Sequence, residues 1–279
     1  MIGKGFRLWV CALSMGALAS FSGAAARADS PFADKNLETA VRGVLKHQPD
    51  AELTDDLLKN VYVLEAVDKE IKDLAGLEKC KNLALLRLSK NQVADLGPLK
   101  GLTNLTSLDL ADNAVADLAP LADLKGLQYL ELSNNKIVDV GPLSALTKLN
   151  ALYLEGNQIQ NIEPLGGLEK LASLSLGKNQ IQDAGPLAGL SKLTTVDLSD
   201  NQIQDITPLT KQTDLKLLLI QRNKIDDLMP LIDAAKADAE GPKLFAPYLR
   251  LHLEGNPLPE SSRSSQMEAL KAAGVRVEG

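Results

Sequence analysis

The chain has 279 residues, 45% apolar and only 3% aromatic, with 36 acidic against 30 basic side chains and a formal charge of −6. An acidic chain without a basic run excludes a nucleic-acid partner and disfavours anionic membranes, since both are bound by clustered cations. Two cysteines, Cys11 and Cys80, are too few and too far apart in context for a disulfide framework.

In chain order, Lys4 and Arg7 precede an apolar stretch from Leu8 to about Phe21, followed by Ala26-Arg27-Ala28. This is the pattern of a cleavable export signal over residues 1–28, cut after Ala28. The uncleaved alternative, a membrane anchor, is disfavoured by the Ser and Gly content of the run. Cleavage removes Lys4, Arg7 and Arg27, which makes the mature charge −9. Localisation is then secreted or periplasmic, with no membrane insertion after cleavage. Cys80 becomes the one mature cysteine and falls in a column of leucines, which makes it a buried small hydrophobe.

Residues 29–60 read as a helical N-terminal cap. Leu37, Val41, Val44 and Leu45 recur at helical spacing behind Asp34, an N-cap residue, and a second short helix begins at Thr54 with Leu57 and Leu58. A solenoid must cover the open end of its core, and an amphipathic helix does so.

Residues 61–258 carry the repeats. Asn91, Asn113, Asn135, Asn157, Asn179, Asn201 and Asn223 follow one another at intervals of 22 residues without a slip. Around each runs the pattern LxxLxLxxNxIxxLxPLxxLxx, as in Leu149, Leu152, Leu154, Asn157, Ile159, Ile162, Pro164, Leu165 and Leu168. The stretch Val61 to Leu77 is a degenerate first turn with Lys69 in the asparagine's place. The LxL segment alternates as a short strand, so Leu86 and Leu88 point in while Leu85 and Arg87 point out. Pro98, Pro120, Pro142, Pro164, Pro186, Pro208 and Pro230 mark short helical or 3-10 return legs. The column Asp95, Asp117, Asp139, Asn161, Asp183, Asp205 and Asp227 is better explained by capping of those legs than by a metal site. Ala184, Gln212 and Ala234 interrupt leucine-like columns. An 11-residue insertion near 232–247 delays the next ladder position to Asn256, with a longer helix from Ile232 to Glu240. Residues 259–279 close the chain with a helix carrying Met267 and Leu270, stopped at Gly274, and a last strand with Val275 and Val277.

On these motifs the chain resembles leucine-rich repeat proteins of the 22-residue class shared by bacterial internalins and eukaryotic phosphatase-regulatory repeats. Phe32 to Leu37 and Ile71 to Leu83 look like the N-terminal cap of bacterial members; Asn256-Pro257-Leu258 and Leu270 to Val277 look like a bacterial C-terminal end. The resemblance implies a right-handed α/β solenoid with a concave parallel β-sheet as its binding face. It does not imply host-cell adhesion, because a cell-wall sorting signal and an immunoglobulin-like domain are both missing from the sequence.

The outward strand positions on that face read Arg87, Asp109, Glu131, Tyr153, Ser175, Asp197, Leu219 and His252. Flanking rows contain Tyr129, Leu217 and Glu155. Ser175, Asp197 and His252 share a row but cannot form a triad, because Ser175 and His252 are about 14 Å apart across three strand spacings. No catalytic residue, metal site or cofactor is assigned. The partner-binding candidates are Arg87, Asp109, Tyr129, Glu131, Tyr153, Glu155, Leu217 and Leu219. Arg87 either pairs with Asp109 or leaves the acids open for a cation or basic partner. Leu217 and Leu219 either mark a partner site or are covered locally. The function expected is non-enzymatic binding of a protein or peptide through the concave face; the alternatives are a structural or self-associating envelope scaffold and a glycan- or calcium-binding module. Calcium would draw on Asp109/Asp112 and Asp197/Asp200.

Overall fold

The computed structural model describes residues 30–46 and 52–278. The expected signal segment and its cleavage point lie outside the described residues. Among those described, ten three-residue strands form one parallel sheet in strict chain order. They are β1 (Val63–Glu65), β2 (Leu85–Arg87), β3 (Ser107–Asp109), β4 (Tyr129–Glu131), β5 (Ala151–Tyr153), β6 (Ser173–Ser175), β7 (Thr195–Asp197), β8 (Leu217–Leu219), β9 (Arg250–His252) and β10 (Arg276–Glu278). This is an α/β solenoid, and the degenerate first turn supplies a strand in register with the rest, Leu64 against Leu86.

Each strand from β1 to β9 buries its central residue and turns its flanks to the concave side, and the last, β10, leaves its central Val277 half-buried. Leu86, Leu108, Leu130, Leu152, Leu174, Val196, Leu218 and Leu251 are all at most 1% exposed. The next inward residue, such as Leu88 or Leu154, is buried too. One aliphatic layer therefore runs the length of the molecule, each turn covered by its neighbours. Cys80 sits fully buried in it, where loss of hydration for the thiolate pushes its pKa up to about 12.

The asparagines tie that layer's backbone together. Asn157 Oδ1 accepts from Ile137 N of the preceding turn at 3.0 Å, and its Nδ2 donates to Leu132 O and Leu154 O, both at 3.0 Å. A neutral amide can accept and donate at once, which a carboxylate cannot do. The pattern repeats from Asn91 to Asn223, with Asn113 less deeply buried than the others. Asn256 carries it across the insertion, accepting from Asn223 N and Ile225 N and donating to Ile220 O. The residue before each rung is left-handed: Lys90, Asp112, Asn134, Lys178, Asp200 and Arg222 have φ between 51° and 58°, and Gly156 has φ 69°. None of these is β-branched, as that conformation requires. This ridge of six side chains and one glycine beside the concave face is not apparent from the repeat consensus.

The return legs over Gly97–Leu99, Ala119–Leu121, Gly141–Ala145, Glu163–Leu165, Gly185–Gly189 and Thr207–Lys211 are 3-10 turns with proline near the start. Each is opened by the acidic column: Asp95 Oδ1 accepts from Gly97 N at 2.7 Å, and Asn161 accepts from Glu163 N in the same way. The insertion differs from expectation. The leg with Pro230 and the helix expected from Ile232 are one continuous element, α-helix Met229–Glu240. The proline lies in its first turn, where no N–H is needed, so helix simply continues from the 3-10 start. Asp238 then folds the rest: its carboxylate accepts from Leu244 N, Phe245 N and Ala246 N. Burial alone would raise its pKa, but those three donors together bring it below the usual value.

The ends are capped by helices. The first, Lys35–Leu45, is capped by Asp34 Oδ1 on Asn36 N and Leu37 N. The second oxygen of Asp34 accepts from Lys72 N at 2.8 Å and so binds the cap to the first repeat. Phe32 packs against Gly76, where a Cβ would lie 2.7 Å from its ring and φ is +102°. A short helix, Asp55–Leu58, starts at Thr54 as expected. At the far end, helix Glu260–Ala272 buries Leu270 and leads into β10. No helix among the described residues is long and apolar enough to cross a membrane.

Candidate functional site

The strand register places the concave side chains in rows. Arg87 stands opposite Asp109, Asp109 opposite Glu131, and Glu131 opposite Tyr153. Parallel strands lie about 4.8 Å apart, so each is an immediate neighbour of the next. Tyr129 is on the same face of β4 as Glu131, and its ring centroid is 5.6 Å from that of Tyr153 at an interplanar angle of 48°. The tilted pair has the separation aromatic contacts prefer. Tyr129 is 36% exposed, and Asp109, Glu131 and Tyr153 are half-buried.

The electrostatics of this group follow from what surrounds it. Burial, then the charges of Glu131 and Asp109, push the Tyr129 hydroxyl up to about 12. Burial also raises Glu131, and neighbouring Asp109 and Glu155 add to it, outweighing the hydrogen bonds from Ser133. Asp109 and Glu131 use one oxygen each on their own strand exits, accepting from Ala111 N at 3.1 Å and Ser133 N at 2.8 Å. The pairing of Arg87 with Asp109 is not formed. The guanidinium turns the other way and meets Glu65 on β1 at 3.0 Å. Glu65 was not among the candidates, yet it stands one turn from Arg87 just as Asp109 does.

Toward the C-terminal end Glu155, Asp200, Glu254 and Glu278 each meet a basic side chain. Lys178 meets Glu155 at 2.8 Å. Arg222 grips Asp200 with two nitrogens, one at 2.7 Å, and reaches Glu254 at 4.0 Å; that bond holds the Asp200 carboxyl below its usual range. Asp197 lies in the fields of both Lys178 and Arg222 and accepts from Ser199 Oγ at 2.7 Å. Arg250 and His252 converge on Glu278, with His252 Nε2 at 3.0 Å. Asp197 and His252 are thus separately engaged, with Ser199 and with Glu278. Leu217 and Leu219 are half-buried between the side chains of β7 and β9, so the pair is partly covered.

The acids considered for calcium are also drawn elsewhere. Asp112 Oδ1 accepts from Asn134 Nδ2 at 2.8 Å, and Asp200 belongs to Arg222. Among the described residues no three acidic, histidine or cysteine side chains converge as metal ligands.

This architecture is similar to known proteins. Residues 81–123, 125–167 and 169–211 match the leucine rich repeat family (2 copies). An internalin C2 from Listeria monocytogenes is 38% identical over 72% of this chain and 92% of its own, with a TM-score of 0.70. An internalin F from the same organism is 29% identical over 90% of this chain and 77% of its own, with a TM-score of 0.69. A plant peptide hormone receptor, RGFR1, in complex with RGF2, shares the fold at 19% identity and a TM-score of 0.55, over 72% of this chain and 37% of its own. No curated protein sequence matches the chain.

Proposed function

The chain belongs to the internalin-like leucine-rich repeat proteins of bacteria, and from that premise we propose that it is an exported, non-enzymatic binding protein whose partner lies along the concave face. The fold supports an interaction scaffold, since it presents one extended sheet face built from ten strands. One observation carries the choice of site. Tyr129 and Tyr153 pack together in the centre of the face beside Asp109 and Glu131, and 36% of the Tyr129 surface stays open to solvent. Aromatic side chains of this kind supply most of the contact energy in protein interfaces. Asp109, Tyr129, Glu131, Tyr153 and Glu155 form the centre of the contact, with Arg87 on one flank and Leu217 and Leu219 on the other. Export rests on the Lys4-to-Ala28 leader pattern.

The mature protein, immobilised and exposed to an extracytoplasmic extract, is expected to retain a defined protein, and Tyr129→Ala/Tyr153→Ala is expected to lose it. Truncating two central aromatics typically weakens an interface by about 2 kcal/mol or more. A partner held equally well by the double variant would remove this patch from the binding surface.

A further inference from the structure

The concave face differs along its length in one respect: where its negative charge is answered. Glu155, Asp200, Glu254 and Glu278 meet Lys178, Arg222, Arg250 or His252, and Asp197, which has no ion pair among the described residues, has Ser175 and Leu219 as its register neighbours and no second acid. Over β3 and β4, Asp109 and Glu131 face each other in register, and among the described residues neither has an ion pair. Their natural neighbour, Arg87, is taken by Glu65. Each accepts from a backbone N–H two residues on, and Glu131 also from the Ser133 side chain, so both are hydrogen-bonded but neither is met by positive charge. A partner that covered this pair without bringing positive charge would bury two repelling carboxylates, which is costly. A partner that brings a cation removes both the repulsion and the cost.

We propose that the segment docking over β3 to β5 presents a lysine or arginine side chain, its charged head between Asp109 and Glu131 and its stem along Tyr129. This rests on the reading of the concave face as the binding surface and specifies the chemistry of what binds. The partner is a protein segment and not a free metal ion, because the two acids have no third ligand to complete a coordination shell. Nor do the tyrosines form a cage for a small ammonium ion. Their rings are in contact with each other at 5.6 Å and leave no slot between them, so the cation lies beside the pair. Tyr129, exposed beyond a third of its surface, offers the ledge along which a long aliphatic stem packs.

The test uses short synthetic peptides of one host sequence carrying a Lys-Arg pair, an Asp-Glu pair or two serines, titrated against the full mature chain by fluorescence anisotropy. The cationic peptide is expected to bind, and to weaken by about 10-fold between roughly 0.05 and 0.5 M salt. Asp109→Asn/Glu131→Gln, which keeps both capping oxygens, is expected to weaken it by about 10-fold or more, whereas Asp197→Asn/Glu254→Gln stays within about 2-fold. Equal binding of the serine or acidic peptide, unchanged binding to Asp109→Asn/Glu131→Gln, or no binding of the cationic peptide up to about 1 mM would each overturn the proposal. Circular dichroism melts of each variant establish that it is folded. The two readings separate cleanly with a captured partner. If Tyr129→Ala/Tyr153→Ala loses it and Asp109→Asn/Glu131→Gln keeps it, the cationic docking fails while the binding face stands; if both keep it, the face itself fails.

Discussion

The two halves of the concave sheet share a backbone and differ in how their charges are met. From β6 onward the strand acids lie next to a ridge that supplies Lys178 and Arg222; beside β3 to β5 the same ridge positions are Asp112, Asn134 and Gly156. The repeat geometry brings each left-handed ridge residue alongside the strand exits of neighbouring turns. Glu155 and Asp200 are thus each met by a ridge residue that takes no part in the core, and Asp109 and Glu131 are not. A solenoid can therefore vary its binding chemistry turn by turn while the ladder and the leucine layer remain unchanged. The stretch from β3 to β5, where the ridge has no basic residue, is the stretch that carries the tyrosines.

That comparison assumes an equal frame in both halves, and the largest expected effect checks it. Leu130→Ala under the acidic half and Leu218→Ala under the paired half both delete a fully buried side chain. Each is expected to cost about 3 kcal/mol in urea unfolding; a much smaller loss in one half would mean that its frame is looser. Next in size is the ladder. Asn157→Ala leaves Ile137 N without its acceptor and takes one of two amide donors from Leu132 O and from Leu154 O. A cost of about 2 kcal/mol is expected, and an unchanged melting temperature would break the link between the rungs and stability.

A smaller effect distinguishes the halves directly. Glu131 has a folded pKa raised by burial and by like charges. A carboxyl raised on folding binds its proton more tightly in the folded state, so its stabilising contribution is complete below the unfolded value and is lost as pH rises through the raised one. Glu131→Gln should therefore raise the melting temperature near pH 7 and change it little near pH 4. The reverse ordering would place a cation beside Glu131 in solution. Least of all should Arg222→Ala disturb the fold, since its ion pairs are on the surface. Its small change in melting temperature should vanish in about 0.5 M salt, while the released Asp200 and Glu254 make the C-terminal half resemble the N-terminal one in its attraction for cations.

Much of this molecule is legible without coordinates. The solenoid, the inward and outward strand residues, the asparagine rungs, the capped 3-10 legs and the helices behind Asp34 and Thr54 all follow from local patterns repeated at a constant interval. Each such feature is built from backbone groups that recur identically in every turn, so one correct reading serves for all. The same logic places Tyr129 beside Tyr153 and Asp109 beside Glu131. It does not show that Asp34 reaches with its second oxygen to Lys72 N, or that Asp238 gathers three N–H groups of the insertion, because both contacts occur outside the repeat.

Above all it cannot choose among equals. Arg87 is separated from Glu65 and from Asp109 by the same number of residues, one on either side in the sheet. Periodicity determines that all three stand in one row and leaves the pairing open. The three-dimensional structure decides it: the Arg87 guanidinium turns toward Glu65, and that choice is what leaves Asp109 and Glu131 without a cation.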